Sequence, residues 1–464
     1  MRLRLLAALA CITFTAFQQT ANAQTAPAKT LDDKAVFNAI FDEVMNNGEA
    51  YDNLEVLCKD IGHRLAGSPQ ADMAVRWSYD MIKKYGFDSV WLQPVTVPHW
   101  VRGEQEYGEI MNVGKVNMLA LGGSVATPIE GIIDNVIEVR DFKHLEELGT
   151  AGIKGKIVFF NYPFPQNVVN SFEGYGDAGP YRWHGANDAS KYGAIAVVIR
   201  SVGSSHDDFA HTGSTHFDDG VKKIPCAALS NIDADMLHNA LQKDPSTKFK
   251  MIMSCAMLDS VQSYNVIAEI KGSTFPKEVI VVGGHLDSWD VGEGAHDDGA
   301  GCMQSVEVLR AIQAAGLKPK RTIRCILFMN EENGNMGGKT YGKYASATKD
   351  EKHIAALESD AGGFSPRGFS LDSAMLARPE MEQLKELMLK YGVYSFEEGH
   401  GGTDIGPMEK AGTHLIGLVP DSQRYMDLHH TNNDVFEQVN KRELHMGASV
   451  MAMMCWWISE HGVK

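Results

Sequence analysis

Three apolar runs in the second half of the chain each stop on acids or histidines. They are "EVIVVGGHLD" (278–287), "RTIRCILFMNEE" (321–332) and "KHIAALESDAGG" (352–363). Short runs like these, with no regular polar alternation, read as strands covered on both faces. "SYNVIAEIKG" (263–272) and "THLIGLVPD" (413–421) read the same way. Helical patterns alternate with them: an apolar stripe over 302–315, a helix over 381–391 and a largely helical stretch over 435–457. Such alternation predicts an α/β fold, a mostly parallel sheet flanked by helices. Ligands of such sheets bind beyond the carboxyl ends of the strands. The acids and histidines fall at those ends.

The first half is organised differently. Helical patterns cover about 36–58 and 71–85, broken by "GHRLAGSP" (62–69), and "DSVWLQPVTV" (88–97) reads as a strand. "VNMLALGGS" (116–124) reads as a strand and a turn. Near Ala126 the pattern changes to short strands and turns: "GIIDNVIEV" (131–139) and "GKIVFFNYP" (155–163) are strand-like, "DASKYGAIAVVIRS" (188–201) reads as helix, glycine, then strand, and "IPCAALSNIDADMLHNAL" (224–241) as strand, loop and helix. Residues 126–258 therefore read as an α/β domain inserted into a catalytic unit made of 34–125 and 259–464. Its histidines His206, His211 and His216 lie among Ser, Gly and Asp and read as a surface loop.

The opening "MRLRLLAALACITFTAFQQTANAQ" has two arginines, an apolar run and small residues ending at Ala23. It reads as a signal peptide over 1–23, followed by a loose lead-in over 24–33. Export across the inner membrane, to a periplasmic or extracellular location, is the expectation. No later run has membrane-spanning length and apolarity, so no membrane insertion is expected. Cys11 lies in the leader; Cys58, Cys226, Cys255, Cys302, Cys325 and Cys455 remain, with no CxxC pair and no pairing legible. A formal charge of −16 argues against nucleic acid as a partner.

The chemistry concentrates in "VVGGHLDSWDVGEGAHDDGAG" (281–301), which crowds His285, Asp287, Asp297 and Asp298 together. Packed carboxylates repel unless positive charge sits between them. A helix cap by Asp297 or Asp298 is the plainer account of "DDGAG". Glu331 and Glu332 then follow the second run, and one glutamate can ligate a metal while its neighbour serves as general base. Asp360 ends the third run, with Glu358 a weaker candidate. "YMDLHHTNND" (425–434) adds His429 and His430. The set His285, Asp297, Glu332, Asp360 and His430 suits two divalent cations: one bridging carboxylate, then one histidine and one carboxylate for each.

The order and wording of these segments resemble the M28 metallopeptidase family over about 262–460, and more weakly over the N-terminal helices. Within it they are most similar to the plasma glutamate carboxypeptidase, or carboxypeptidase Q, group. "GGHLDSWDVGEGAHDDG", "NEENG", "GGTDIGP" and the histidine pair carry the resemblance. It implies a zinc-exopeptidase type of fold with a protease-associated-like insert and two Zn2+ per chain. Those ions are held by His285, Asp297, Glu332, Asp360 and His430, with Asp297 bridging. Glu331 is implied as general acid/base and Asp287 as the residue that orients His285. His430 is preferred to His429 because Thr431 follows it and Asp434 stands three positions beyond Thr431, as in the family's ligand segment. His429 occupies a place where many relatives carry a tyrosine that helps an oxyanion. Small peptides, including dipeptides, are the implied substrates, and a homodimer is an implied assembly. "VMAMMCWWISE" (450–460) reads either as such an interface or as a buried helix. The alternatives are a single-zinc, glutaminyl-cyclase-like or other amide-acting enzyme, and a non-catalytic metal-dependent binding protein.

Overall fold

The apolar runs lie side by side at the centre of an eight-stranded sheet in the computed structural model, which describes residues 32–463. The signal-peptide reading (1–23) and nearly all of the lead-in lie outside the described residues. In chain order the strands are β1 (Ser89–Val101), β2 (Ala256–Ile270), β3 (Phe275–His285), β4 (Arg321–Phe328), β5 (Lys352–Glu358), β6 (Pro366–Leu371), β7 (Ser395–Glu398) and β8 (His414–Pro420). Their spatial order is β1-β2-β4-β3-β5-β8-β6-β7. β4, β3, β5 and β8 run parallel. Antiparallel pairing of β1 with β2, β2 with β4, and β6 with β8 extends both sides.

The main helices are α1 (Asp33–Asn47), α2 (Pro69–Lys84), α3 (Ser171–Lys191), α4 (Ala300–Ala314), α5 (Met336–Ala347) and α6 (Lys441–His461). α1, α2, α4 and α6 share one hydrophobic core with the sheet. On the other face, Tyr341 and Ala345 of α5 pack with Val279, Val281, Ile326 and Phe328. Burial on both faces explains the unbroken apolar runs. α2 starts where it does because the Ser68 side chain accepts from Ala71 N at 3.1 Å and Pro69 opens the first turn. α6 settles the reading of 450–460: Trp456 and Trp457 are each 1% exposed inside the chain's own core. Any homodimer must therefore use another face. All six cysteines of the described residues are buried and unpaired.

A second eight-stranded sheet forms the insert. Its limits differ from those read in the sequence. Strands Glu106–Ile110, Gly114–Val116 and Met118–Ala120 already belong to it, and its last strand in chain order is Lys248–Met253. The change at Ala126 thus falls inside this sheet, not at its border. The chain passes from one sheet to the other after β1 through Arg102, Gly103, Glu104 and Gln105, too short a stretch to shift the composition. Only the last turn of α3 was legible in the sequence. Gly174, Gly176, Gly179, Pro180 and Gly185 all disfavour helix. Packing against the insert's core, including Phe160 and Phe164, holds it instead. The loop of His206, His211 and His216 is not wholly a surface loop either. His206 and His216 are exposed, but His211 is buried and its Nδ1 pairs with the carbonyl of His429 at 2.9 Å.

Trp456 also carries an indole N–H with no partner. Trp456→Ala is expected to cost about 3–5 kcal/mol of stability, as for other large core truncations. Trp456→Phe removes the unsatisfied donor as well as some packing, and should stay within about 1 kcal/mol of the parent. Denaturant unfolding of both variants checks the difference.

Candidate active site

The candidate ligands sit at or just beyond the carboxyl ends of strands, in the turn that opens a helix, or just after a helical turn. His285 is the last residue of β3; Glu331 and Glu332 follow β4; Asp360 follows β5; Asp297 lies in the turn Ala295–Gly299 that opens α4; His429 and His430 follow the helical turn Tyr425–Leu428. The fold brings them together around Asp297. Asp297 Oδ1 is 3.3 Å from His285 Nε2, and its Oδ2 is 3.2 Å from His430 Nε2. Each imidazole has a second carboxylate of its own. Asp360 Oδ1 lies 3.5 Å from His285 Nε2, and Glu332 Oε2 lies 3.1 Å from His430 Nε2.

Supporting contacts aim these groups. The His285 ring is turned by the main chain of Asp287, whose carbonyl accepts from Nδ1 at 2.9 Å. The Asp287 carboxylate stays 3.8 Å from that ring and accepts instead from Asn330 N (2.6 Å) and Glu331 N (3.0 Å). Asp287 therefore positions the glutamate turn with its side chain and the histidine with its backbone. Asp298 takes the capping part: it accepts from His285 N and from Gly301 N, both at 3.0 Å. Asp434 accepts from His296 N (2.8 Å) and Asp297 N (3.1 Å), which fixes the central carboxylate. Arg64, fully buried, donates to the carbonyls of Leu286, Glu293 and Gly294 and so pins the loop between His285 and Asp297. His430 has its Nδ1 3.3 Å from the Thr212 carbonyl, which leaves Nε2 facing the acids.

His429 is placed differently. Its Nε2 is 3.9 Å from Asp297, its ring stacks on His430 at 3.5 Å, and its Nδ1 is buried without a partner. Burial, then the neighbouring His430, holds its pKa well below that of an ordinary histidine.

The electrostatics say what is missing. Burial pushes Glu331 well above the usual carboxylate range and Glu332 up to about 7. Burial works against a charged His285, yet Asp360 and Asp297 hold that imidazole well above its ordinary value. His430 is raised to about 9 despite burial, by Glu332 and Asp297. Both rings are therefore surrounded by acids that favour positive charge at this point. Asp297 Oδ2 and Glu332 Oε1 are buried with no completed hydrogen bond. Among the described residues, atoms lying within 4.8 Å of one another group as His285/Asp297/Glu332, Asp297/His429/His430 and His285/Asp298/Asp360. Imidazole and carboxylate donors with unmet lone pairs fit zinc.

The site opens into a cleft of about 990 Å³. Part of its wall is α3, which the sequence reading largely missed. Tyr175 and Arg182 of that helix bond to each other, and Arg182 Nη1 comes within 3.3 Å of His430 Nδ1. No motif in the sequence marks either residue, because both act across the gap between the two sheets.

Comparison with known proteins agrees with this geometry. Residues 265–455 match the model of peptidase family M28. Human carboxypeptidase Q is 34% identical over 92% of this chain and 88% of its own length. The chain belongs to peptidase family M28. It is a zinc metallopeptidase of that family, with both carboxypeptidases and aminopeptidases among its relatives. A solved M28 peptidase precursor from Shewanella amazonensis superposes with a TM-score of 0.89 at 34% identity, covering 93% of this chain and 98% of the other. A zinc aminopeptidase from Bacillus subtilis shares the fold at 20% identity, with a TM-score of 0.63 over 88% and 94% of the two chains.

Asp434→Asn would place an amide N–H₂ against one of two backbone donors. In this M28 site such loss of support is expected to weaken zinc binding by about 10–100-fold. Chelator competition on the purified variant measures it.

Proposed function

We propose that this M28 metallopeptidase is a two-zinc exopeptidase of small peptides. The observation that carries the reading is the placement of Asp297: one oxygen faces His285, the other faces His430, and each histidine has its own second carboxylate. His285 and Asp360 would hold one ion, His430 and Glu332 the other, with Asp297 shared. Zinc bound there would supply Lewis acidity, polarising the scissile carbonyl and making a water acidic enough to attack near neutral pH.

The protein's own residues do the rest. Glu331 projects from a turn that Asp287 clamps, beside the ligand Glu332. It takes a proton from the attacking water and passes it to the leaving amine. Burial raises its pKa when no cation is near, so nearby positive charge is what keeps it a base at neutral pH. His429, neutral and buried with a free ring nitrogen, is suited to donate to the developing oxyanion. The insert wall limits the cleft, which favours short substrates. Arginines and an apolar run near the N-terminus support export. Among the described residues no helix is long and apolar enough to cross a membrane.

Glu331→Gln should retain two zinc ions per chain and lose about a hundredfold or more in turnover of a small peptide. Elemental analysis and single-substrate kinetics test both parts. One zinc per loaded chain, or near-normal turnover in the metal-loaded variant, contradicts the assignment.

A further inference from the structure

The two halves of the site are carried differently. His285 ends β3, and Asp360 follows β5, its neighbour in the central sheet. Their supports come from the same unit. Asp298 accepts from His285 N, and Ser359 N donates to the Gly283 carbonyl at 3.1 Å. Among the described residues neither ligand side chain has a hydrogen bond to the insert. His430 has no strand beneath it. It stands in the long connection between β8 and α6, whose regular structure is limited to short turns at Tyr425–Leu428 and Phe436–Gln438. Its φ is 62°, in the left-handed region that residues other than glycine rarely adopt. Such backbone persists only where neighbours hold it.

The insert does the holding, through the segment 211–214. Thr212 N donates to the His430 carbonyl at 3.0 Å, and the Thr212 carbonyl lies 3.3 Å from His430 Nδ1. His211 Nδ1 donates to the His429 carbonyl at 2.9 Å, and Ser214 Oγ donates to the Glu332 carbonyl at 2.7 Å. The segment is itself tied to the insert sheet. Thr212 Oγ1 donates to the Ala120 carbonyl at 2.7 Å, Gly122 N to the Gly213 carbonyl at 2.9 Å, and Thr215 N to the Gly122 carbonyl at 2.8 Å. Two more contacts draw the His430 connection onto the insert. Ser204 Oγ donates to Asp427 Oδ1 at 2.6 Å, and Ser171 Oγ to the Ser422 carbonyl at 2.7 Å. Supports of this kind fix where a ligand's donor atom falls, and their loss weakens metal binding.

We propose that His211, Thr212 and Ser214 of the insert are positioning residues for one half of the metal centre: they hold the backbone of His430 and Glu332, so the ion of that half depends on the docked insert while the ion of His285 and Asp360 does not. This rests on the two-zinc reading of the same site and adds which ion the insert controls.

The test titrates the zinc-loaded mature protein with a chelator and counts the zinc that stays bound. His211→Ala is expected to release one of its zincs about 10–100-fold more readily than the parent and to keep the other as the parent does. His211→Asn, which keeps an N–H attached to Cγ, should restore most of the difference. Ser214→Ala, a milder change, should shift the same ion several-fold. Hydrogen–deuterium exchange locates the loosening: in zinc-loaded His211→Ala the amides of 425–434 should exchange faster, and those of 279–287 and 352–360 should keep the parental rates. Melting temperature reports folding, and where His211→Ala does not fold, Ser214→Ala decides by the same two readouts. Release of both zincs together, unchanged release from a folded variant, or an equal rise in exchange at 279–287 overturns the brace and leaves the two-zinc reading standing. A parent that holds one zinc overturns both.

Discussion

Buried negative charge at Asp297 organises this molecule. A carboxylate taken out of water is costly unless cations or donors surround it. Asp297 meets His285 on one side and His430 on the other, with Asp360 and Glu332 close behind. Without positive charge burial favours protonated acids, and it pushes Glu332 up to about 7. Zinc held there would resolve the conflict and supply Lewis acidity.

Much of the surrounding structure holds that arrangement still. Arg64 ties three carbonyls of the loop leading to Asp297, and Asp434 clamps the amide of Asp297 itself. Asp287 serves two masters, the ring of His285 and the amides of the glutamate turn. These are contacts to the backbone, and they limit how far the ligands can move. The insert contributes from outside the sheet. Its α3 supplies a wall, and His211 fixes the carbonyl of His429. A unit that looks separate in sequence is part of the site in space.

The central strands were legible because burial on both faces writes itself as an unbroken apolar run, and the acids after each run mark the strand ends. Of the candidate ligands, His285, Glu332 and Asp360 were legible for the same reason, each standing at or just beyond a strand end. Asp287 illustrates the limit. Its nearness to His285 in the chain pointed to a contact between them, but the side chain turned to Asn330 and the carbonyl turned to the ring. The start of the insert illustrates another. Two sheets meet after β1 with no change of residue type, so composition placed the border too late.

What the sequence by itself determined is the inventory: which strands are buried, which side chains end them, and that two adjacent glutamates follow one of them. Periodicity and local order carry that information, since both are properties of neighbours along the chain. What only the tertiary structure decided is allegiance. It put His430 rather than His429 nearest the shared carboxylate, gave Asp298 the helix cap, buried Trp456 and Trp457 in the core, and built a helix of glycine-rich sequence over the cleft. Those outcomes depend on contacts between residues far apart in the chain, where local propensity is overruled by packing and charge.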